Sequence, residues 1–248
     1  MTHLTSFSSP ANVAVIGASG GIGAALCRSL EQDSRVGTVH ALSRAPASLP
    51  QSDKFRAHTL DLAEPQTIER AAAACADEVP VDLVIVATGI LHGGSLQPEK
   101  AMRELDPSHM ADVLAVNTVG PAMVARHFLP RLNRKGKSAL AVLSARVGSI
   151  GDNRLGGWVS YRASKAALNM VVRTLSIEHR RRWPDSVVVA LHPGTVDTSL
   201  SRPFSSRVPD EKLFTPDHAA ERLLAVIDGL SAEQSGGFFA WDGTEIPY

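Results

Sequence analysis

Short apolar runs alternate along the chain with longer segments in which apolar residues recur every three or four positions. The short runs end in glycine or polar residues and are typical of buried strands, whereas the longer periodic segments favour helices. The predicted strands cover residues 12–16, 36–42, 56–60, 81–87, 139–143, 187–191 and 238–241. The predicted helices cover residues 21–32, 65–76, 107–132, 159–182 and 216–230.

The alternation of strand and helix predicts an α/β fold, a doubly wound parallel sheet of the Rossmann-like type with helices on both faces. No repeat, low-complexity tract or linker divides the chain, so we expect a single domain over residues 1–248. Sheets of this type bind ligands at the carboxyl ends of their strands, and the functional residues are expected there.

Two segments are predicted to depart from regular structure. The helix that begins at Asp106 and Pro107, a good N-cap and a good first helical residue, is expected to kink at Pro121. Residues 199–213 form an irregular stretch that is long for a connection inside a compact domain. Such long loops are usually lids or binding loops, and the alternative is a plain surface loop.

Composition narrows the classes of function. Lys plus Arg and Asp plus Glu each number 25, so the balanced charge predicts neither a nucleic-acid partner nor an anionic membrane partner. No apolar run is long enough to span a bilayer, and residues 1–6 lack the features of a signal peptide. Cys27 and Cys75 fit reduced core positions, which favours a cytoplasmic protein. No residue spacing typical of a metal site is found, so no metal is expected.

A glycine-rich segment, residues 17–23, connects the first predicted strand to the first predicted helix. Gly17 permits a tight turn, Gly21 lets a pyrophosphate approach the backbone, and Gly23 lets the helix pack closely on the strand. The free N–H groups and the positive dipole end of the helix then attract phosphate. The sequence therefore predicts a dinucleotide site whose contacts here are Gly17, Ser19, Gly21, Ile22 and Gly23.

Ser43 and Arg44 stand at the end of the second predicted strand. Enzymes that use NAD usually place an acidic residue about 20 residues after the glycine motif, where it binds the ribose 2′-hydroxyl. A carboxylate would repel a 2′-phosphate, whereas Arg binds it through charge-assisted hydrogen bonds. This pair therefore favours NADP(H) as the cofactor, with NADPH preferred over NADH; the alternative is that Arg44 is a solvated loop residue.

Tyr161 and Lys165 lie four residues apart on a predicted helix and therefore share one face of it. The pKa of a free tyrosine is about 10, which is too high for efficient proton transfer near neutral pH. A nearby ammonium group stabilises the phenolate and lowers that pKa. On a nucleotide-binding fold this pair indicates an acid/base tyrosine assisted by a lysine.

These three motifs together resemble those of the short-chain dehydrogenase/reductase family, and the resemblance covers nearly the whole chain. Segments 148–154, 161–165 and 239–243 are most similar to the C-factor and sniffer-type carbonyl reductases of that family. The resemblance implies an oxidoreductase that moves a hydride between NADP(H) and a small carbonyl or alcohol substrate. It also implies that Asn117 binds the cofactor and holds a proton-relay water where its helix is locally distorted.

The resemblance implies further cofactor contacts. Asp61 and Leu62, after the third predicted strand, would contact the adenine, and Lys165 would hold the ribose hydroxyls. The segment after the sixth predicted strand would wrap the nicotinamide, with threonines bonding the carboxamide and a nearby phosphate. Its implied contacts are Pro193, Gly194, Thr195, Val196 and Thr198.

The segment after the fourth predicted strand departs from the family pattern. The family has Asn-Ala-Gly there, whereas this chain has Ala87, Thr88 and Gly89. Gly89 keeps the close backbone approach to the cofactor, but the amide side chain is lost, and Thr88 is the candidate to replace its support.

The end of the fifth predicted strand also departs from the pattern. The family usually has two serines there, and the second polarises the substrate carbonyl. Ala145 stands at that position in this chain, and Ser144 stands one residue earlier. Ser144 is the predicted catalytic serine, although the alternation of strand side chains argues against it. Ser149 is the alternative.

The sequence thus predicts an enzyme with Tyr161, Lys165, Ser144 and Asn117 as its catalytic residues. A nucleotide-binding sensor or signalling protein with little turnover is the alternative class, and an isomerase or dehydratase on the same fold stays open. The family usually pairs its long helices, so a homo-oligomer is one expectation and a monomer the other. Candidate substrate-facing residues are His92, Arg146, Asn153, Trp158 and the 199–213 loop, and Arg146 and Arg154 are either anion-binding or plain surface residues.

Overall fold

The computed structural model describes residues 4–46, 52–94, 96–206 and 209–248. Seven parallel strands form one sheet in the order β3-β2-β1-β4-β5-β6-β9, and a separate parallel pair joins β7 and β8. The strands are β1 Ala11–Ile16, β2 Val36–Ser43, β3 Phe55–Thr59, β4 Leu83–Val86, β5 Ser138–Leu143, β6 Ser186–His192, β7 Thr195–Val196, β8 Leu213–Phe214 and β9 Phe238–Ala240. The helices are α1 Gly21–Gln32, α2 Pro65–Cys75, α3 Pro107–Leu114, α4 Gly120–Phe128, α5 Val159–Arg180 and α6 Pro216–Gly229.

The strand order reverses between β1 and β4, which confirms the predicted doubly wound topology. At such a reversal the loops that follow the two strands diverge and leave a crevice outside their carboxyl ends. The loop after β1 is the glycine segment, and the loop after β4 carries Thr88 and Gly89. The fold therefore brings two of the predicted binding segments to the same edge of the sheet.

Each face of the sheet packs a separate apolar layer. Val13 and Val15 of β1 contact the layer that contains α1 and α6, whereas Ala14 and Ile16 contact the layer that contains α2, α4 and α5. Side chains along a strand point alternately to opposite faces, so strands covered on both sides are apolar at every position. This arrangement makes the sheet a rigid support for the loops at its carboxyl edge.

The predicted long helix over residues 107–132 is wrong as a continuous element. It is divided into α3, a π-helical turn over Ala115–Val119, and α4, which ends at Phe128. In a regular helix residue 121 would donate its N–H to the carbonyl of residue 117, but Pro121 has no N–H. The wider π-turn accommodates this missing bond, and it places the distortion at Asn117 rather than at the proline itself.

The remaining predicted elements agree with the structure to within two residues at either end. In the 199–213 segment, short helical turns cover Arg202–Phe204 and Asp210–Lys212, and β8 pairs its end with β7. Residues 207 and 208 of this predicted loop lie outside the described residues. Within the described ranges, no helix combines the length and apolar character that a membrane span requires.

Candidate active site

Two adjoining cavities open at the carboxyl edge of the sheet. The first, called here the glycine cavity, has a volume of about 180 Å³ and is lined by Gly21, Thr88, Gly89 and Lys165 among others. The second, called the apolar cavity, has a volume of about 270 Å³ and lies beside the loop after β6. Both cavities share the lining residues Ile22, Ser144, Tyr161, Pro193, Thr198 and Leu200.

The glycine segment is shaped by close backbone contacts. Gly17 has a φ of 87°, a conformation that favours glycine, and a Cβ atom on Gly23 would lie 2.1 Å from the Gly17 carbonyl oxygen. A Cβ on Gly21 would lie 2.7 Å from the methyl group of Thr198, so this helix end packs against the loop after β6. Gly20 supplies no side-chain cap to α1, which leaves first-turn N–H groups available for an anion.

Ser43 and Thr88 each carry a buried hydroxyl oxygen without a hydrogen-bond partner among the described residues. Buried polar atoms are normally paired, and a bound ligand is one way to pair them. Arg44 is exposed beside Ser43 and forms no ion pair within the described part of the chain. The glycine cradle, the two hydroxyls and this cation fit the pyrophosphate and ribose phosphate of a dinucleotide.

Asp61 and Leu62 follow β3, which lies on the β1 side of the point where the strand order reverses. Asp61 is half-buried, and its Oδ1 accepts the N–H of Ala63 at 3.0 Å, which fixes the turn. Leu62 packs against Gly120 at the start of α4, where a Cβ would approach its side chain to 2.8 Å. Neither residue lines the two cavities.

Tyr161 lines both cavities, and Lys165 lines the glycine cavity beside it. Tyr161 is 9% exposed and Lys165 is 3% exposed, and the Lys165 Nζ lies 5.8 Å from the centre of the Tyr161 ring. Lys165 Nζ donates a hydrogen bond of 2.8 Å to the carbonyl oxygen of Leu143 at the end of β5. The spacing of four residues therefore places both side chains on the face of α5 that covers this edge of the sheet.

Burial controls the protonation of both groups. It raises the pKa of Tyr161 to about 12 and lowers the pKa of Lys165 to about 8, because removal from water disfavours the charged form of each. The sequence predicts that Lys165 lowers the pKa of Tyr161. In this structure burial has the larger effect, and the pKa of Tyr161 is raised instead. At neutral pH Tyr161 is accordingly a protonated donor.

Asn117 is fully buried in the π-turn and connects that turn to α5. Its Oδ1 accepts the N–H of Ile90 at 2.8 Å, and its Nδ2 donates to the Ile90 carbonyl at 2.9 Å. The same Nδ2 donates to Ser164 Oγ at 3.1 Å, and Ser164 Oγ donates to the carbonyl of Tyr161 at 2.8 Å. The structure thus joins Asn117 to the Tyr161 backbone through one hydroxyl group.

The two candidate serines lie in different surroundings. Ser144 lines both cavities, and its Oγ donates a 2.7 Å hydrogen bond to Oδ1 of Asn169, which lies one turn beyond Lys165 on α5. Ser149 is buried, accepts the N–H of Asp152 and lines neither cavity. Ala145 also lines the apolar cavity. The position of Ser144 therefore favours it over Ser149, although its hydroxyl already has a partner.

The segment after β6 forms one wall of both cavities. Gly194 has a φ of 80°, and a Cβ there would lie 2.7 Å from the ring of Phe214. This contact and the pairing of β7 with β8 hold the segment against the end of the 199–213 loop. The predicted contacts Pro193, Gly194, Thr195, Val196 and Thr198 all line the apolar cavity, and Pro193 and Thr198 also line the glycine cavity.

Apolar and aromatic side chains form most of the wall of the apolar cavity. Trp158 and Phe204 meet edge to face with ring centres 5.1 Å apart, and Leu91, Val147 and Leu200 complete the wall. Arg146 lines the cavity, but its guanidinium is paired with Asp152 at 3.0 Å.

The other predicted substrate-facing residues lie outside the cavity. His92 is bonded at 3.0 Å to the Ser199 carbonyl and stacks edge-on against Phe204, so it supports the wall from outside. Asn153 accepts the N–H of Gly156, and Arg154 bonds the carbonyl of Gly151, so both are exposed loop residues. Asn153 therefore does not line the cavity as expected, and Arg154 agrees with the alternative of a plain surface residue.

Sequence reasoning missed two residues at this site. His192 lines the apolar cavity, and its Nδ1 is buried with no hydrogen-bond partner in the described part of the chain. Burial, assisted by the charge of Arg146, lowers its pKa to about 4. Its position as the last residue of β6, next to Pro193, was the available indication. Asn169 was also missed, although it continues the four-residue spacing of Tyr161 and Lys165 on α5.

A cluster of His40, His58 and Cys75 lies elsewhere in the fold, with potential ligand atoms within 4.8 Å of one another. The ring nitrogens of the two histidines are 2.8 Å apart, a distance at which they share a hydrogen bond. The sequence analysis did not anticipate this cluster because its members come from β2, β3 and α2 and match no metal-binding spacing.

The chain was compared with known proteins. A family model described as short chain dehydrogenase matches residues 11–208. This chain belongs to the short-chain dehydrogenase family. The resemblance found in the glycine segment, in Tyr161 and Lys165, and in the segment after β6 is therefore confirmed.

This short-chain dehydrogenase is similar to two curated relatives. It is 32% identical over 240 residues to 1-hydroxy-2-glutathionyl-2-methyl-3-butene dehydrogenase of a Rhodococcus species, and the alignment covers 95% of this chain and 99% of the relative. It is 40% identical over 149 residues to C-signal of Myxococcus xanthus, which covers 60% of this chain and 84% of that protein. Among solved structures, NADPH-bound carbonyl reductase from chicken fatty liver matches with a TM-score of 0.84 and 27% identity, covering 99% of this chain and 97% of that one.

These comparisons bear out the interpretation of this short-chain dehydrogenase as an oxidoreductase. They also confirm the branch that the sequence resembles, since C-signal and a carbonyl reductase are among the matches. The alternative of a nucleotide-binding sensor without turnover is not favoured, because a relative that matches nearly the full length of the chain is a dehydrogenase.

Proposed function

We propose that this oxidoreductase uses NADP(H) and transfers a hydride between the nicotinamide and a small carbonyl or alcohol substrate. The observation that carries the proposal is the placement of Tyr161 at the junction of the glycine cavity and the apolar cavity, with Lys165 beside it in the wall of the glycine cavity. A cofactor in the first cavity would meet a substrate in the second at this junction. The likeness to a carbonyl reductase whose structure holds NADPH supports both assignments.

The preference for NADPH over NADH is proposed on the residues after β2. Arg44 is an exposed cation with no ion-pair partner within the described ranges, and Ser43 offers an unpartnered hydroxyl beside it. Both groups suit a 2′-phosphate, and neither is the carboxylate that would bind a ribose diol. The proposed cofactor contacts are Gly17, Ser19, Gly21, Ile22, Gly23, Ser43, Arg44, Asp61, Leu62, Ala87, Thr88, Gly89, Asn117, Tyr161, Lys165, Pro193, Gly194, Thr195, Val196 and Thr198.

The reductive reaction needs a proton for the oxygen that receives negative charge. NADPH, when bound, supplies the hydride. Tyr161, which is protonated at neutral pH because burial raises its pKa to about 12, donates its hydroxyl proton to that oxygen. Lys165 stabilises the phenolate that remains. The Lys165 amine can do so because, with a pKa of about 8, it is still largely protonated at neutral pH. Water near Asn117 would then return a proton to Tyr161.

Ser144 is proposed to hold the substrate oxygen. Its Oγ lies at the end of β5 and lines both cavities. In the opposite amide orientation Asn169 would donate its otherwise unpartnered Nδ2 to Ser144 Oγ, which frees the hydroxyl hydrogen for the substrate. A donor placed where negative charge develops stabilises the transition state.

The apolar cavity favours an uncharged carbonyl compound with an aliphatic or aromatic substituent. Its walls are apolar, and Arg146, the cation at its edge, is neutralised by Asp152. An anionic substrate would have to break that ion pair. We propose a small-molecule substrate of this class and neither a nucleic-acid nor a membrane partner.

The state of the whole protein is proposed as follows. Residues 1–248 act as one nucleotide-binding domain in the cytoplasm, where the buried free thiols of Cys27 and Cys75 stay reduced. Met170 and Ile177 are 66% and 52% exposed and lie seven residues apart on one face of α5. These two exposed apolar side chains favour homo-oligomerisation through paired helices, and light scattering after size exclusion would reveal a monomer if the proposal is wrong.

The decisive experiment follows NADPH oxidation by absorbance with a panel of aldehydes, ketones and quinones. Tyr161→Phe should bind NADPH as the parent does and lose roughly 10²–10⁴ in turnover, the usual contribution of a general acid. Arg180→Ala, at the far end of α5, is the matched control and should retain parent turnover. Near-parent activity of Tyr161→Phe, or substrate conversion without net redox change, would refute the proposed reaction and favour an isomerase or dehydratase.

A further inference from the structure

Glu99 is a buried carboxylate outside the residues assigned above. It lies in the connection between β4 and α3 and is only 5% exposed. It forms no ion pair within the described ranges, so its charge is balanced by hydrogen-bond donors alone. Among the described residues, its carboxylate accepts hydrogen bonds from Ser160, and its main-chain carbonyl accepts the N–H of Trp158, both at the start of α5.

The first turn of α5 depends on this carboxylate. The residue before the helix, Trp158, makes no side-chain capping bond. Ser160, the second helical residue, donates its N–H to Glu99 Oε2 at 3.2 Å and its hydroxyl to Glu99 Oε1. A carboxylate at a helix N-terminus satisfies free N–H groups and interacts favourably with the helix dipole. Glu99 thus caps from a distance the helix that carries Tyr161.

The backbone of Glu99 fixes the residue before the helix. Trp158 has a φ of 52°, and among the described residues it is the one non-glycine residue with a left-handed backbone. This conformation is unfavourable for a bulky side chain and persists only where the surroundings impose it. The Trp158 N–H donates to the Glu99 carbonyl oxygen at 2.6 Å, and Gly156 and Gly157 precede it with φ values of 64° and 68°.

The conformation of Trp158 shapes the apolar cavity. Its ring meets Phe204 at 5.1 Å and Tyr161 at 6.4 Å, both edge to face. A right-handed backbone at this residue would send the ring in another direction and open the wall. Glu99 therefore acts on the site through two groups: its carboxylate bonds Ser160, the residue before Tyr161, and its main-chain carbonyl holds the wall residue Trp158.

We propose that Glu99 is a positioning residue for substrate recognition. Its side chain anchors this connection to Ser160 and sets the depth of Tyr161, and the main-chain carbonyl that is anchored in this way holds Trp158 in its left-handed conformation. The inference rests on the proposed function for its kinetic consequences. Glu99, Trp158 and Ser160 lie away from the cofactor side of the site, because none of them lines the glycine cavity. Loss of Glu99 should therefore alter substrate fit and leave cofactor binding intact.

The kinetic test compares Glu99→Ala, Glu99→Gln and Ser160→Ala with the parent. Misplacement of a reacting group by an ångström costs up to about 10²-fold. Glu99→Ala should raise KM at least about tenfold, lower kcat, and reduce the enantiomeric excess of the alcohol formed from a prochiral ketone. The Kd for NADPH should stay within about twofold. A merely structural role would lower the melting temperature without changing KM or the enantiomeric excess.

A double-mutant cycle tests whether Glu99 acts through Ser160. Residues that act together give non-additive effects, so Glu99→Gln combined with Ser160→Ala should be little worse than the more impaired single variant. Glu104→Gln is the matched control, because Glu104 is an exposed carboxylate on the same connection that bonds only the Lys100 N–H. The control should behave as the parent. Additive effects of the two variants would overturn the coupling.

A measurement without turnover separates this inference from the proposed reaction. Acrylamide quenching of tryptophan fluorescence reports the exposure of Trp158, and Trp158→Phe identifies its share among the three tryptophans. Glu99→Ala, or Glu99→Gln where the alanine variant does not fold, should increase the quenching of Trp158. Parent-like quenching in the folded variants would overturn the inference even if the enzyme reduces carbonyls. Increased quenching would support it even if the panel yields no substrate.

Discussion

Arg44 shows how one side chain at a strand end can select a cofactor. It extends from the end of β2 into solvent, beside a buried Ser43 hydroxyl that has no partner among the described residues. An exposed arginine contributes little to stability when it has no ion pair, so its replacement isolates the binding effect. The fold around it is held by β2 and does not depend on the guanidinium.

Arg44→Ala should weaken NADPH binding by roughly 1–3 kcal/mol, the scale of a charge-assisted hydrogen bond. NADH binding should be nearly unchanged, because NADH lacks the 2′-phosphate that the guanidinium would hold. Fluorescence titration of both cofactors measures the difference, with Arg180→Ala as the control for a lost surface cation. Tighter binding of NADH than of NADPH by the parent would contradict the assignment.

Ser144 and Ser149 can be separated by matched substitutions. Loss of one oxyanion donor typically costs about 10²–10³ in rate, so Ser144→Ala should be strongly impaired. Ser149→Ala should retain most activity, because its Oγ serves only the turn at Asp152 and faces neither cavity. Steady-state kinetics on one good substrate gives the comparison. If Ser149→Ala is the impaired variant, the loop serine has the role; if neither is impaired, the site works without a serine.

At the scale of elements, the close contact between the glycine turn and α1 limits what the sequence can tolerate. The Gly23 position lies so near the Gly17 carbonyl that any side chain would force the helix away from β1. Gly229, at the end of α6, offers a contrast, since a Cβ there meets no atom within 4 Å. The two glycines therefore differ in packing although both lie in helices.

Gly23→Ala should lower the free energy of unfolding by roughly 1–3 kcal/mol or more through overpacking, and should also weaken dinucleotide binding. Gly229→Ala should be neutral or slightly stabilising, because alanine favours a helix and has room. Urea denaturation and NADPH titration of both variants measure the two effects. Parent-like stability and binding of Gly23→Ala would mean that the turn is not held as closely as this structure indicates.

The elements themselves were largely predictable, because each is set by a local pattern. Strands buried on both faces and helices with one apolar face were identified within two residues at their ends. The family resemblance implied a distortion at Asn117, which the turn at residues 115–119 bears out, whereas the hydrophobic pattern alone predicted a continuous helix. Pro121 indicated an irregularity, but the sequence does not show whether the missing N–H is accommodated by a kink at the proline or by a wider turn before it.

The site was predictable only where a motif is local in sequence. Tyr161, Lys165 and the glycine turn each lie within a short segment, and the structure brings them to one edge of the sheet. The partners of Ser144 and of Trp158 come from distant segments, at Asn169 and Glu99, and no spacing announces them. Such contacts depend on tertiary packing, which a single sequence does not specify position by position.

At the scale of the whole molecule, buried histidines make stability depend on pH. His40 and His179 are each 7% exposed, and His192 lies in the cavity wall. Burial, with a smaller effect of nearby positive charge, lowers the pKa of each from 6.5 to about 4. The unfolded chain therefore binds more protons than the folded protein between pH 6.5 and 4, and acid in this window favours unfolding.

The free energy of unfolding should fall as the pH is lowered from 7 to 5, by roughly 1–2 kcal/mol for each of these three histidines. The contribution of these groups is complete above pH 6.5, the unfolded value, and is lost progressively down to about pH 4, the folded value. Urea denaturation at a series of pH values measures the slope. His179→Gln should flatten the slope, since glutamine does not titrate, whereas His218→Gln, an exposed position on α6, should leave it unchanged. An unchanged slope in His179→Gln would show that this imidazole accepts a proton inside the folded protein as readily as in the unfolded chain, and that its burial between Trp183 and the rest of α5 does not exclude charge.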